Sequence, residues 1–326
     1  MLVDVHDHFY PPAYLDALRD EGSAVHVTRD AGGNPLLHYP GDFNVAVRGH
    51  RDIAWRRGVL EREGVDVQVL SLTTPGTHVE TPERAVRLAR LVNDAFAAIV
   101  REYAPRFRAL ATLPLCDPVA SAAELRRAVT DLGLPGAMLF GNVNGTPLAD
   151  ARFEPLWAEA DRLHAVMHIH PTNPLGVEAM RDYWLMPLVG FLFDTTLAAS
   201  HLVFAGVPAR YPNIRFVLSH LGGAIPYLAE RLDRGWSAFA ECRARIDRPP
   251  SEYLRRFWYD TVNFDPSALR LAADFAGAGQ LLAGSDYPHQ IGSIARMKES
   301  IAAARFSAEE RERVLGGNAA ALYGLA

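Results

Sequence analysis

Eight short apolar runs recur along the chain, and a helix-period stretch follows each one. They lie at residues 2–8, 65–72, 107–115, 136–141, 165–170, 214–220, 257–262 and 280–285. Most are continuous rather than alternating, the pattern of strands buried on both faces. Helices are expected at 50–63, 81–103, 118–132, 153–164, 194–209, 225–241 and 266–276, and two more, 294–304 and 308–323, close the chain. Gly64 reads as the stop of the first helix, Thr81 and Pro82 as the start of the second, and Asp194 as a cap. Eight strand–helix units in 326 residues predict an α/β chain, a TIM-like (β/α)8 barrel forming one domain over residues 1–326. Residues 10–49 fall outside the series. There, 25–27 and 36–39 flank an Ala-Gly-Gly-Asn turn, expected as a small hairpin insertion after strand one, near the mouth of the fold.

Active sites of such barrels lie at the C-terminal ends of the strands. Strand one ends in His6 and His8, whose i, i+2 spacing puts both imidazoles on one face, about 7 Å apart along the chain. Strand five ends in His168 and His170, strand six in His220 and strand eight in Asp286. Three imidazoles and a carboxylate suit zinc or a similar divalent ion, with a position left open for water or substrate. His170 is the expected ligand on strand five because it is nearest the mouth, and His168 sits one pleat deeper. His220 either ligates the ion or stands off it as a proton donor. Asp286 reads as a ligand, or as a plain helix cap. His78 and His289 are further candidates to face the mouth; His26, His38, His50, His164 and His201 read as surface or core residues.

Composition narrows the chemistry. The net charge is −5 and no basic run exists, which argues against nucleic acid as a partner. No apolar run is read as a membrane span, and no signal-peptide pattern opens the chain. Two cysteines, Cys116 and Cys242, imply no disulfide framework, so a cytoplasmic location is expected. Lys298 is the one lysine and falls in a late helix. No strand-end lysine is available for a Schiff base or a metal-bridging carbamate, so a mononuclear centre is expected.

The order His-x-His, His, His, Asp on strands one, five, six and eight resembles the amidohydrolase superfamily. Further stretches are similar to its branch of aminocarboxymuconate-semialdehyde decarboxylase and related aromatic-acid decarboxylases: Asp-Tyr-Trp-Leu-Met-Pro-Leu-Val-Gly at 182–190, Ser-His-Leu-Gly-Gly-Ala-Ile-Pro-Tyr at 219–227, Gly-Ser-Asp-Tyr-Pro at 284–288 and Gly-Asn-Ala-Ala-Ala-Leu-Tyr-Gly at 317–324. The resemblance spans nearly the whole chain. It implies one divalent metal, zinc first and manganese second, held by His6, His8, His170 and Asp286, with proton chemistry at His220. It also implies an arginine for a substrate carboxylate, Arg48 or Arg51, and a homodimer in which Arg231 reaches the neighbouring site. Arg231 stands eleven residues past His220, roughly two turns along the next helix, and so points away from its own mouth. This chain departs from the family's best-known member at His289, where that member has an apolar side chain, and in the hairpin. It also keeps His6 where some relatives carry Glu.

The expected function is metal-dependent, non-oxidative decarboxylation of an unsaturated or aromatic carboxylic acid. His220 would protonate the carbon that loses CO2, and Trp184 would either cover the substrate plane or fill core. No organic cofactor is needed. The alternative is hydrolysis of a lactone, amide or ester with Asp286 as base. A metal-binding module without catalysis is a third reading.

Overall fold

The computed structural model describes residues 1–325 and is mixed α/β. Its parallel strands are β1 (Val3–His8), β2 (Val67–Ser71), β3 (Phe107–Ala109, resuming at Ala111–Thr112), β4 (Gly136–Phe140), β5 (Val166–His170), β6 (Arg215–Leu218), β7 (Trp258–Asp260) and β8 (Leu281–Leu282). Each pairs in parallel with the next in chain order. Beyond β8 the chain turns back to β1: Val5 N–H donates to Ala283 O (2.9 Å), Asp286 N–H to His6 O (2.8 Å) and His8 N–H to Tyr287 O (2.9 Å). Strands seven and eight are shorter than expected, and at strand eight these irregular bonds replace a regular ladder.

Helices separate the strands: α1 (Ile53–Glu63), α2 (Pro82–Glu102), α3 (Pro118–Thr130), α4 (Glu154–Arg162), α5 (Phe191–Phe204), α6 (Ile225–Ala238), α7 (Pro266–Ala276) and α8 (Ile294–Ala303). Gly64 ends α1 in the left-handed conformation, as its position implies. Thr81 stands at the N-cap of α2, but its hydroxyl makes no capping bond.

Asp194 is not a cap. It lies inside α5, buried, and accepts from Thr172 N–H (2.9 Å) and Asn142 Nδ2 (2.8 Å). Those bonds fasten the loop after β5 to the end of β4, and burial pushes the Asp194 carboxyl up to about 6. The absence of a membrane-length apolar run also needs correction. The helical stretch Asp182–Phe204 has 23 residues and contains an 18-residue window of mean hydropathy 1.4, long and apolar enough to span by length and composition alone. The sequence reading missed it because Pro187 and Gly190 break the run into loop-like pieces.

Where a hairpin was expected there is a three-stranded antiparallel meander, His26–Arg29, Pro35–Tyr39 and Asp42–Val45. Asn44 Nδ2 donates to Thr74 O (3.2 Å) after β2, and Asn173 Nδ2 donates to Pro40 O (2.7 Å) from the loop after β5. The meander is thus tied to two loops at the C-terminal strand ends.

A compact apolar cluster gathers Val3, Val5, Val67, Val69, Leu110, Met138, Val166, Val217 and Leu282, closed from below by Leu322 and Tyr323. Simple alternation would put His6 and His8 on the face opposite Val3 and Val5. The β1–β2 register shifts between Asp4 and Asp7, and this bulge turns both histidines onto the same side as the valines.

Candidate active site

The local folding of β1, β5, β6 and the chain after β8 brings the strand-end groups together. His6 Nε2 lies 3.2 Å from His8 Nε2, and Asp286 Oδ1 lies 3.4 Å from the first and 3.1 Å from the second. Donor atoms of His6, His170, His220 and Asp286 all fall within 4.8 Å of one another. Gly284 is required beside them: a Cβ there would stand 2.9 Å from His6 Cβ and 3.1 Å from Asp260 Cβ.

The partners of the ring nitrogens decide what these groups can bind. His6 Nδ1 donates to Asp260 Oδ2 at 2.5 Å. His170 Nδ1 donates to Pro171 O at 2.7 Å. Ser71 Oγ gives its one proton to Asp7 O, so it accepts from His8 Nδ1 at 3.2 Å. All three imidazoles therefore carry their proton on Nδ1 and aim an Nε2 lone pair inward. Lone pairs on His6 and His8 only 3.2 Å apart, beside a carboxylate oxygen, repel unless a cation lies among them. This donor set fits a divalent metal, with the outer bonds fixing tautomer and orientation.

Electrostatics agree. Burial alone depresses the His6 imidazolium, but Asp260 and then Asp286 raise it to about 10, so positive charge is favoured at this point, a proton on Nε2 when no ion is bound and a metal ion in its place. Burial holds His8 and His170 well below the usual histidine range. Burial would raise the Asp286 carboxyl, but bonds to His6 and His8 hold it well below the carboxylate range.

His220 reaches the cluster through strained backbone. It and Leu221 sit at φ 53° and 58°, a conformation that costs a residue with a Cβ about 1–2 kcal/mol. Gly222 and Gly223 continue the turn, and a Cβ on Gly223 would stand 2.2 Å from Leu192 O. The result points His220 at His6 and His170, ring centroids 5.0 and 5.5 Å away, with Nδ1 unbonded. Burial pushes its imidazolium down to about 4, aided by His6 and opposed by Asp286 and Asp260.

Of the other expected residues, His289 and His168 adjoin the cluster, with donor atoms within 4.8 Å of those of His8 and Asp286 and of His6 and Asp260 respectively, and the rest lie elsewhere. His168 is buried below the cluster, with Nε2 3.1 Å from Ser219 Oγ. His289 packs on His8, ring centroids 4.9 Å apart. His78 packs against Phe140 with ring centroids 4.6 Å apart and tilted by 44°, and the Phe140 ring lies 6.4 Å from that of His170. Arg48 is exposed, bonded to Asp52 (2.9 Å) and lying over Trp55. Arg51 donates to Ala46 O (3.1 Å). Neither guanidinium bonds to the cluster among the described residues. Trp184 is 62% exposed and touches Phe43 of the meander. Arg231 is exposed on α6.

Asp260, at the end of β7, was missed. Its signal is a lone carboxylate inside the apolar run 257–262. His50 was read as an ordinary surface or core residue, yet it packs against His289. Asp260→Asn is expected to lower metal affinity about 10- to 100-fold, measured by competition with a chelating dye, because the His6 tautomer is released. Unchanged affinity would refute that role.

The amidohydrolase profile matches residues 3–325. The chain belongs to the amidohydrolase family. Among the relatives of this amidohydrolase is 2-amino-3-carboxymuconate-6-semialdehyde decarboxylase of Dictyostelium discoideum, 37% identical over 271 residues, covering 82% of this chain and 75% of the relative. The crystal structure of 5-carboxyvanillate decarboxylase from Sphingomonas paucimobilis superposes with a TM-score of 0.88 at 27% identity, covering 100% and 99% of the two chains. Dihydroxybenzoic acid decarboxylase from Polaromonas sp. JS666, solved with bound manganese and the inhibitor 2-nitroresorcinol, gives a TM-score of 0.83 at 25% identity, covering 99% and 97%.

Proposed function

We propose that this amidohydrolase is a metal-dependent, non-oxidative carboxy-lyase acting on an aromatic acid. The observation that carries the reading is the convergence of three Nδ1-protonated imidazoles and Asp286, with the unbonded His220 beside them. His6, His8, His170 and Asp286 would hold one divalent ion, zinc or manganese, and His220 lies close enough to be a fifth ligand. When bound, the ion supplies positive charge that polarises a carboxylate and an adjacent oxygen. His220 delivers a proton to the carbon bearing the carboxylate. A C–H bond forms there, the C–CO2 bond breaks, and its electron pair restores the ring. An arriving carboxylate favours the charged imidazolium, so the donating form of His220 gains on binding. The Phe191 ring lies beside both histidines, its centroid 6.3 Å from that of His170 and 6.5 Å from that of His220. Hydrolysis would need Asp286 as a base, whereas the relatives matched above are decarboxylases.

The test is CO2 release from a panel of hydroxybenzoates by metal-loaded protein, beside lactone and ester panels. Hydrolysis without CO2 release would overturn the reading. Chelation is expected to abolish CO2 release while the circular dichroism spectrum persists; unfolding in step with metal loss would instead make the site structural.

The reading extends to a closed (β/α)8 barrel, supported by the bonds from the chain after β8 back to β1. It also includes a homodimer and a cytoplasmic location. The dimer is supported by the exposed stripe Val189, Phe193 and Leu197, with Tyr227 exposed four residues before Arg231. A monomer in light scattering at working concentration would count against it.

A further inference from the structure

Two histidines outside the ligand set form a second polar locus. His50 is 1% exposed, and neither of its ring nitrogens has a partner among the described residues. Its backbone is held at both ends: N–H donates to Val47 O (2.9 Å), and its carbonyl accepts from Tyr10 N–H (2.6 Å). His289 is fixed by a turn, its N–H donating to Asp286 O (3.0 Å). Gly49 brings the two segments together, since a Cβ there would stand 2.6 Å from the Tyr287 hydroxyl oxygen. The His289 ring centroid is 4.9 Å from His50 and 4.9 Å from His8, so the pair continues outward from the cluster. A fully buried imidazole with two unmet nitrogens is costly, and a bound ligand would remove that cost.

We propose that His50 and His289 recognise a ring hydroxyl of the substrate, one further along the ring from the carboxylate that lies at the His6–His8–Asp286 cluster. This rests on the decarboxylase reading above and adds the substrate class. A neutral imidazole offers one donor and one acceptor, which matches a hydroxyl; a second carboxylate would need donors only. The guanidiniums that would neutralise a second carboxylate are engaged elsewhere. Arg48 bonds Asp52, Arg51 bonds Ala46 O, and the buried Arg56 bonds Asp7, Gln68 and the carbonyls of Gly49 and His8. The pair thus selects dihydroxybenzoates over diacids.

The experiment uses metal-loaded wild type, His289→Phe, His50→Leu and the polar variants His289→Asn and His50→Gln. Probes are salicylate, the dihydroxybenzoates that add one ring hydroxyl to it, and a salicylate carrying a second carboxylate. Dissociation constants from calorimetry and kcat/KM for CO2 are compared as ratios to salicylate. Wild type is expected to favour at least one dihydroxybenzoate by about tenfold, the value of one well-made hydrogen bond. The apolar variants should bring that ratio near one, and the polar variants should restore part of it. No preference in wild type, a preference for the diacid, or an equal loss for every acid would overturn the proposal. So would a second equivalent of metal that His289→Phe removes, since the pair would then be a metal site. If no acid releases CO2, the decarboxylase reading fails, and the binding ratios still decide the role of the pair.

Discussion

His220→Asn is expected to cut CO2 release about 100- to 10,000-fold while the protein keeps its metal, the usual range for losing a positioned proton donor. Asparagine is the informative substitution because it tolerates the left-handed backbone that His220 occupies at φ 53°. The strained turn from β6 should therefore survive, and the loss should fall on kcat rather than on folding. Metal content by elemental analysis and turnover by CO2 trapping give the two readouts. Full turnover with metal bound would remove His220 from the mechanism. Loss of metal together with activity would make it a ligand, which its place within 4.8 Å of the other donor atoms also allows.

Arg56→Leu is expected to destabilise the fold by about 3–5 kcal/mol, the cost of breaking a buried ion pair from one side. Arg56 and Asp7 are both fully buried, and one guanidinium serves Asp7, Gln68, Gly49 O and His8 O. Removing it leaves Asp7 without its charge partner and frees the backbone at His8 and Gly49. Burial pushes the Asp7 carboxyl upward and Arg56 opposes it, so in the variant the unopposed carboxyl takes up a proton, which places the cost at the lower end. Denaturant midpoints measure the effect. Replacing Asp7 by Leu as well should recover much of the loss, because an apolar pair carries no desolvation penalty. A midpoint unchanged in the single variant would show that the pair contributes little.

The site was legible where its residues sit on local patterns. His-x-His on an apolar run, His170 and Asp286 at strand ends could be read because strand period and chain order alone place them. Other features needed neighbours remote in sequence. The bulge in β1 depends on pairing with β2, so alternation alone gave the right adjacency for His6 and His8 but not their face. Asp260 acts only through His6, 254 positions away. Asp194 resembled a cap until Thr172 and Asn142 took its oxygens. The arginines offered as carboxylate clamps are held away from the cluster by Asp52, Trp55 and Ala46.

By itself the sequence determined the succession of strands and helices and the donor types, because periodicity and spacing are properties of neighbouring residues, and its motif stretches carried the resemblance to the family. Tertiary structure alone decided which nitrogen each histidine presents, which charges are buried together, and that His50 meets His289. Those outcomes depend on contacts between segments and on the desolvation they impose, and no local pattern encodes either.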